Sequence, residues 1–439
     1  MVTIVQKYGG TSVETPHHFL GVARRILEEK GRGRRLIVVV SAMGQSTDDL
    51  VALARQVSPS PPRREMDMLL TAGERISMAL LAIALDSSGA PAISFTGSQS
   101  GIITDDRHNE ARIVAIRPFR IEQSLTEEKI VIVAGFQGVS QGKEVTTLGR
   151  GGSDTTAVAL AIRFGSPWCE IFTDVHGVLT ADPRIVPTAR TLPRINYEPT
   201  IVLSHLGAGV LFHRSVILAR KYGMPIRVGC SLSDGPETWI GPSRRETDMT
   251  GPSQSKSGRG RPARSAEPKA TPSSEAGAAG SSADFPTESD RILSVALEAH
   301  CTMVEIEGGC GPTMLAALLD HASTCQTWLW VETLGTQSGD IIRGVCAGTG
   351  PDDEKLGAAV KLAGVTVRTH GSLAVASLVG EGILSRPSLL HETLTHLAEN
   401  GIRPVATRSG SLSLSFLVQE KQAVETVRLL HDHFVTSVG

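Results

Sequence analysis

An α/β fold, a mainly parallel sheet sandwiched by helices, is predicted for the first half of this 439-residue chain, with two small ferredoxin-like α+β units after it. Three observations predict it. Short apolar runs alternate with helical patterns up to about residue 240. Gly contributes 45 residues, as many tight strand-to-helix turns require. Residues 243–290 hold no Ile, Leu, Val, Trp or Tyr, so they cannot offset the entropy of ordering and read as a disordered linker cutting the chain in two.

In order along the first half, Val2 to Val5, Leu36 to Val40, Ala92 to Phe95, Ile130 to Ala134, Glu170 to Thr173 and Ile226 to Val228 read as buried strands. Between them, Pro16 to Lys30, Glu65 to Leu85, Asp154 to Phe164 and Val210 to Tyr222 read as helices. The first carries Phe19, Val22, Ala23, Ile26 and Leu27 on one face, with Thr15 as cap and Pro16 in the first turn. Repeated β-loop-α units place ligands at the carboxyl ends of the strands. After the linker the expected order is strand Cys301 to Ile306, helix Thr313 to Ala322, strands Gln326 to Glu332 and Ile341 to Ala347, helix Asp352 to Leu362 and strand Val365 to Arg368. A second unit follows with strand Leu373 to Val379, helix Pro387 to Glu399, strands Ile402 to Thr407 and Ser411 to Val418, and helix Lys421 to His433. The expected domains are thus 1–242, the linker 243–290, 291–368 and 369–439.

With 43 Lys plus Arg against 45 Asp plus Glu, the formal charge is −2, which supplies no field for nucleic acid or an anionic membrane surface. An aromatic content of 4% speaks against stacked-base or carbohydrate platforms. Cys169, Cys230, Cys301, Cys310, Cys325 and Cys346 lie far apart with no zinc-ligand spacing, and read as reduced structural thiols. The N-terminus shows no leader pattern, and the longest apolar run, Ile76 to Leu85, is shorter than a membrane span, so a cytoplasmic protein is expected. His17, His18, His431 and His433, near helix ends, read as surface or capping residues, and Trp328 and Trp330 as core or interface residues.

Chemistry concentrates in a few loops. Lys7 closes the first strand, ahead of Gly9, Gly10, Thr11 and Ser12; glycines let a backbone approach a phosphate and lysine supplies a point charge, although such a loop can also be a plain tight turn. The run from Thr146 to Asp154 combines three glycines, hydroxyls, the forked guanidinium of Arg150 and an acid at a helix start, an anion site more than a capped hairpin. Glu74 is an acid in an apolar helical stretch, whose burial demands a partner, either a neighbouring base or a ligand ammonium. Thr173 and Asp174, followed by Asp182 and Arg184, form a strand end and turn suited equally to nucleotide binding and to turn chemistry.

Together KYGGTSV (7–13), VVVSAMGQSTDDL (38–50), LLTAGERIS (69–77), FTGSQSGIITD (95–105), VAGFQGV (133–139), TTLGRGGSDTTA (146–157) and FTDVHGVLTADPRIVPTAR (172–190) resemble the aspartate kinases of the amino acid kinase family. The two C-terminal units look like the paired ACT domains these enzymes carry as amino-acid sensors. The resemblance implies transfer of the ATP γ-phosphoryl group, with Mg²⁺ on the phosphates, to the side-chain carboxylate of L-aspartate or a close analogue, in a homo-oligomer joined through the ACT-like units. It implies that Lys7 and Asp154 are catalytic; that Ser41, Glu74, Arg150, Gly151, Gly152 and Ser153 bind the amino acid; and that Lys7, Tyr8, Gly9, Gly10, Thr173, Asp174, Leu179, Arg184 and position 209 line the nucleotide.

The chain departs from the family pattern in both halves. Where the family has GAKVLHPR, this chain has Gly207 to Arg214 as GAGVLFHR, so Gly209 replaces an expected phosphate-contacting lysine, and Leu179 replaces an aromatic residue. Loss of one charge-assisted contact is worth about 1.5 to 3 kcal/mol. In the second ACT-like unit, Gly401 to Pro404 and Thr407 to Ser411 lack the usual asparagine and acid, so weakened feedback by lysine or threonine is expected. Two alternatives remain open: a kinase for an aspartate analogue in a specialised pathway, and a non-catalytic amino-acid-sensing subunit.

Overall fold

The computed structural model describes residues 1–242, 291–307, 327–336, 339–348 and 366–435. The expected linker, the helices expected at 313–322 and 352–362, Cys310 and Cys325 lie outside them.

In the first half the strands are β1 (Thr3–Tyr8), β2 (Arg35–Val40), β3 (Ala92–Phe95), β4 (Ile102–Thr104), β5 (Ile113–Ile116), β6 (Ile130–Ala134), β7 (Gln137–Ser140), β8 (Val145–Thr147), β9 (Cys169–Thr173), β10 (Arg194–Ile195), β11 (Ile226–Cys230) and β12 (Thr238–Ile240). The helices are α1 (Pro16–Gly31), α2 (Ser46–Val57), α3 (Arg63–Ser87), α4 (Phe119–Thr126), α5 (Gly152–Arg163), α6 (Tyr197–His205) and α7 (His213–Tyr222). The main sheet runs β10-β12-β11-β9-β1-β2-β6-β3, parallel from β11 to β3. Its strands are apolar on both faces, as a covered parallel sheet requires. Ile4, Leu36, Val38, Val40 and Ile132 pack under α1 and α3, whereas Val5, Ile37, Val39 and Val133 pack under α5 and its neighbours. Strand order reverses at β1, which has β2 on one side and β9 on the other. That crevice is where open α/β sheets bind ligands.

Thr15 caps α1 by accepting from His18 N at 3.4 Å. The 25-residue α3 is long and apolar enough to cross a membrane by composition alone. Here it is a core helix, with Leu81 and Leu85 fully buried under the sheet. A second, four-stranded sheet, β5-β4-β7-β8, stands beside the main one and delivers the chain to α5.

The C-terminal half is one antiparallel sheet in the order β14-β15-β13-β16-β18-β17, formed by β13 (Ile292–Glu307), β14 (Thr327–Thr336), β15 (Gly339–Ala347), β16 (Thr366–Gly380), β17 (Ala406–Ser409) and β18 (Ser413–Gln419). Helices α8 (Pro387–Glu399) and α9 (Ala423–Phe434) cover the part built on β16 and β18. The two expected ferredoxin-like units are present, but they are not laid end to end. β13 and β16 pair along their whole lengths through bulges near His300 and Ser372, both at positive φ. The first half of β13 therefore belongs to the core of the second unit, through Ile292 and Val295, and the second half to the first unit, through Cys301 and Met303. The expected cut at 368 to 369 falls inside β16, because the bulge at Gly371 and Ser372 resembles a strand break in sequence. Trp330 is buried in the core of the first unit.

Candidate functional site

β1 alternates, so Val5 and Lys7 both face α5 while Ile4 and Tyr8 face α1 and α3. Lys7 therefore ends opposite the N-terminal turn of α5, where its Nζ lies 2.7 Å from Asp154 Oδ1, both side chains being nearly buried. The other Asp154 oxygen accepts the Phe212 N–H at 3.3 Å. An acid in the first turn of a helix is favoured by the exposed amides there, and here it also fixes the lysine ammonium at the sheet's reversal point.

The loops around this pair are held by close backbone approach. Gly10 O accepts the Gly44 N–H at 3.1 Å, and a Cβ at Gly10 would meet Ala42 O at 2.9 Å. Ser41 follows directly, its N–H bonded to Tyr8 O. Gly151 takes φ +63° as the N-cap of α5, and a Cβ there would lie 2.0 Å from Phe212 Cβ. Gly152 and Ser153 complete that turn, with Ser153 packed against Gly135 at the end of β6. Arg150, between Gly149 at φ +80° and Gly151, is exposed and has no ion-pair partner among the described residues.

Glu74 comes from the middle of α3 and is only 3% exposed. Its Oε1 accepts the Ala42 N–H at 3.1 Å, but Oε2 is buried without a partner. Burial pushes its carboxyl up to about 7, only partly opposed by backbone hydrogen bonds. Of the two expected partners, the neighbouring base is therefore not used: Arg75 does not reach it. Beside the Ser41–Ala42 turn the Glu74 carboxyl keeps one oxygen without a hydrogen-bond partner among the described residues.

Several residues that hold this cluster were not singled out by sequence reasoning. Asp67, fully buried seven residues before Glu74 on α3, accepts from Thr147 Oγ1 (2.5 Å), Asn109 Nδ2 (2.6 Å) and Asn109 N (3.1 Å) and meets His108 Nδ1 at 2.6 Å. Arg214 donates to Leu148 O (2.5 Å) and Ala111 O (2.9 Å), steadying the run that carries Arg150. The signal for Asp67 was present: residues i and i+7 share a helix face.

Other expected site residues stand apart from the Lys7 pair. Tyr8 is fully buried, stacked on Phe172 at 5.0 Å, so its side chain is core and only its backbone borders the loop. Thr173 ends β9 beside β1 and its hydroxyl bonds Asp174 Oδ1 at 2.9 Å. Arg184 is exposed and closes bidentately on Asp182, at 2.7 Å from Nη2 and 3.0 Å from Nε, an arrangement that lowers the Asp182 carboxyl. Leu179 is half-buried in the hairpin that leaves β9. Gly209 is exposed at φ +57°, and a Cβ there would meet only Gly207 O at an ordinary 3.8 Å, so its backbone conformation is what favours glycine. His431 corrects the reading of the histidines as surface groups: it is 1% exposed, because Thr426, Val427, Leu430, His431 and Phe434 form the buried face of α9.

A point charge and a helix N-terminus converging on glycine loops at the reversal of a parallel sheet define an enzyme of the phosphotransferase class. The amino acid kinase family profile matches residues 2–230, and an ACT domain profile matches 376–434. The aspartokinase of Mycolicibacterium smegmatis is 40% identical over 443 residues, spanning 99% of this chain and 96% of its own. Among solved structures, aspartate kinase from Synechocystis is 32% identical with a TM-score of 0.51, covering 98% of this chain and 69% of that one. E. coli aspartokinase III in complex with aspartate and ADP shares the fold at a TM-score of 0.72 and 21% identity over 98% of this chain and 99% of its own. This chain belongs to the amino acid kinase family, as an aspartokinase-type phosphotransferase with C-terminal ACT domains.

Proposed function

We propose that the chain transfers the γ-phosphoryl group of MgATP to the side-chain carboxylate of L-aspartate, giving 4-phospho-L-aspartate at the first step towards lysine, threonine and methionine. The observation that carries this reading is the Lys7–Asp154 pair at the carboxyl end of β1, facing the first turn of α5. A carboxylate is already nucleophilic, so such a reaction needs positioning and charge neutralisation more than a general base. Lys7 neutralises the transferring phosphoryl group, Gly9 and Gly10 bring backbone close to it, and Asp154 holds the ammonium in place. Arg150, free among the described residues, takes the α-carboxylate, with Gly151, Gly152 and Ser153 shaping the turn beneath it. Ser41 adds a hydroxyl and Glu74 receives the α-ammonium. Thr173, Asp174, Leu179 and Arg184 lie along the nucleotide, where Gly209 contributes no charge. The buried thiols Cys169, Cys230 and Cys301, outside any disulfide, suit a cytoplasmic setting, and the ACT units supply the surface for homo-oligomers.

The Glu74 carboxyl gives this reading a pH signature. Because its folded value is raised from 4.5 to about 7, the folded state binds the extra proton between those values, and stability of the free protein falls as pH rises through that window, by roughly 3 kcal/mol in total. Aspartate binds the ionised form, so its affinity rises about tenfold from pH 6 to 8. Calorimetric titration of aspartate across that range checks this, and Glu74→Gln abolishes the rise. A flat wild-type profile would remove Glu74 from the ammonium site.

Trapping with hydroxylamine, which converts an acyl phosphate to a hydroxamate, tests the reaction. Aspartate in a panel of amino acids gives the hydroxamate with MgATP, and added lysine or threonine inhibits the rate weakly or not at all. Product from an analogue in preference to aspartate would move the assignment to that analogue; no product with any acid would leave the sensing-subunit reading.

A further inference from the structure

The hairpin leaving β9, residues 178–192, has its stem in the catalytic half and its tip in the other. Val178 N donates to Thr238 Oγ1 at 2.8 Å, and Thr180 and Arg190 pair across the stem. At the tip, Ala181 and Val186 are buried in the core of the second ACT unit with Leu430 and Phe434. The backbone is tied down from that side as well. Val295 N donates to Thr180 O (2.9 Å), Ser294 Oγ to Leu179 O (3.0 Å) and Arg428 Nε to Ile185 O (3.0 Å). At the centre, Thr180 Oγ1 lies 2.9 Å from His431 Nε2, both groups buried, while Arg190 N donates to the same hydroxyl at 2.9 Å. Asp432 Oδ1 stands 3.7 Å from the far ring nitrogen.

We infer that His431 is a positioning residue for the nucleotide: through Thr180 it sets the place of Leu179 and Arg184, so the second ACT unit completes the nucleotide side of the catalytic half. The inference rests on the reading of residues 173–184 as the nucleotide wall. It assigns the contact a role beyond holding the hairpin backbone, which residues 294, 295 and 428 already bind; among the described residues Thr180 joins the opposite stem strand, at Arg190 N, to a side chain of the second ACT unit, His431, through one hydroxyl.

The test is calorimetric binding of MgATP to the full-length protein, with steady-state KM values beside it, for His431→Ala, His431→Gln and Thr180→Val. Losing one buried hydrogen bond that fixes a ligand wall weakens MgATP binding by about tenfold. The expected pattern is this loss in His431→Ala and Thr180→Val, an unchanged aspartate KM, recovery in His431→Gln, and a double variant no weaker than the worse single. Unchanged MgATP affinity in both single variants overturns the inference. Equal loss at the MgATP and aspartate sites, with a lowered melting temperature, also overturns it by showing a merely structural contact. If the wild type binds MgATP but phosphorylates no amino acid, the proposed reaction falls while the binding comparison still decides the role of His431. A wild type that binds no MgATP removes both.

Discussion

Replacing Lys7 by methionine is expected to lower kcat by about 10² to 10³ while leaving the fold of the glycine loop in place, since the proposed role of the lost ammonium is to neutralise charge that develops during transfer. The substitution has a second consequence that must be separated from the first. Lys7 and Asp154 are 12% and 8% exposed, and removing one partner of such a pair strands the other charge, at a cost of about 3 to 5 kcal/mol. Lys7→Met alone therefore melts earlier than the wild type. The double variant Lys7→Met/Asp154→Asn has no stranded carboxylate, and it regains most of the melting temperature without regaining rate. Thermal unfolding and single-turnover rates on the same three proteins check both halves. A double variant that recovered activity would mean that Lys7 serves only to neutralise Asp154.

Gly151→Ala carries the second large effect, and it acts through the backbone. At φ +63° an L side chain is strained by about 1 kcal/mol or more, and the new Cβ would sit 2.0 Å from Phe212 Cβ, an atom that cannot swing away. Overpacking of this kind adds about 1 to 3 kcal/mol. Relief requires the first turn of α5 to move, and Ser153 and Asp154 move with it. The expected result is a melting temperature lower by several degrees together with a large rise in the aspartate KM. Gly223 is the control: it has the same φ of +63° but nothing within 4 Å of a Cβ. Gly223→Ala thus isolates the conformational penalty and leaves the kinetics unchanged. Equal effects at the two positions would show that the collision with Phe212 is relieved without cost.

Both positions were partly legible in the sequence. Lys7 and the 146–154 run were visible because strand ends, glycines and a helix start fall together, and the motif order along the first half matched a known family. What sequence could not supply was the sharing of groups between distant segments. The Phe212 side chain gives Gly151 its necessity, and Asp67 ties residues 108, 109 and 147 into one support. The helix α2 escaped notice even though Leu50, Leu53, Ala54 and Val57 recur at helical spacing; that face buries no residue. The small β4–β8 sheet escaped because its strands are only three or four residues long. In the C-terminal half, β16 was expected as two strands, since the bulge at Ser372 interrupts the alternation that identifies a strand. His431 was misread for a different reason. Its position near the helix end outweighed its place on the apolar face of α9, and the core it enters is built partly from residues 181 and 186, some 250 positions earlier.

In the proposed reaction an oxygen of the aspartate side-chain carboxylate forms the new bond to phosphorus as the bond to the ADP oxygen breaks. The most direct measurement uses aspartate labelled with ¹⁸O in that carboxylate, MgATP and hydroxylamine, followed by mass analysis of the phosphate released when hydroxylamine attacks the acyl carbon. A labelled oxygen carried into each released phosphate is the predicted result. Unlabelled phosphate, formed at a rate independent of aspartate, would make water the acceptor and contradict the account.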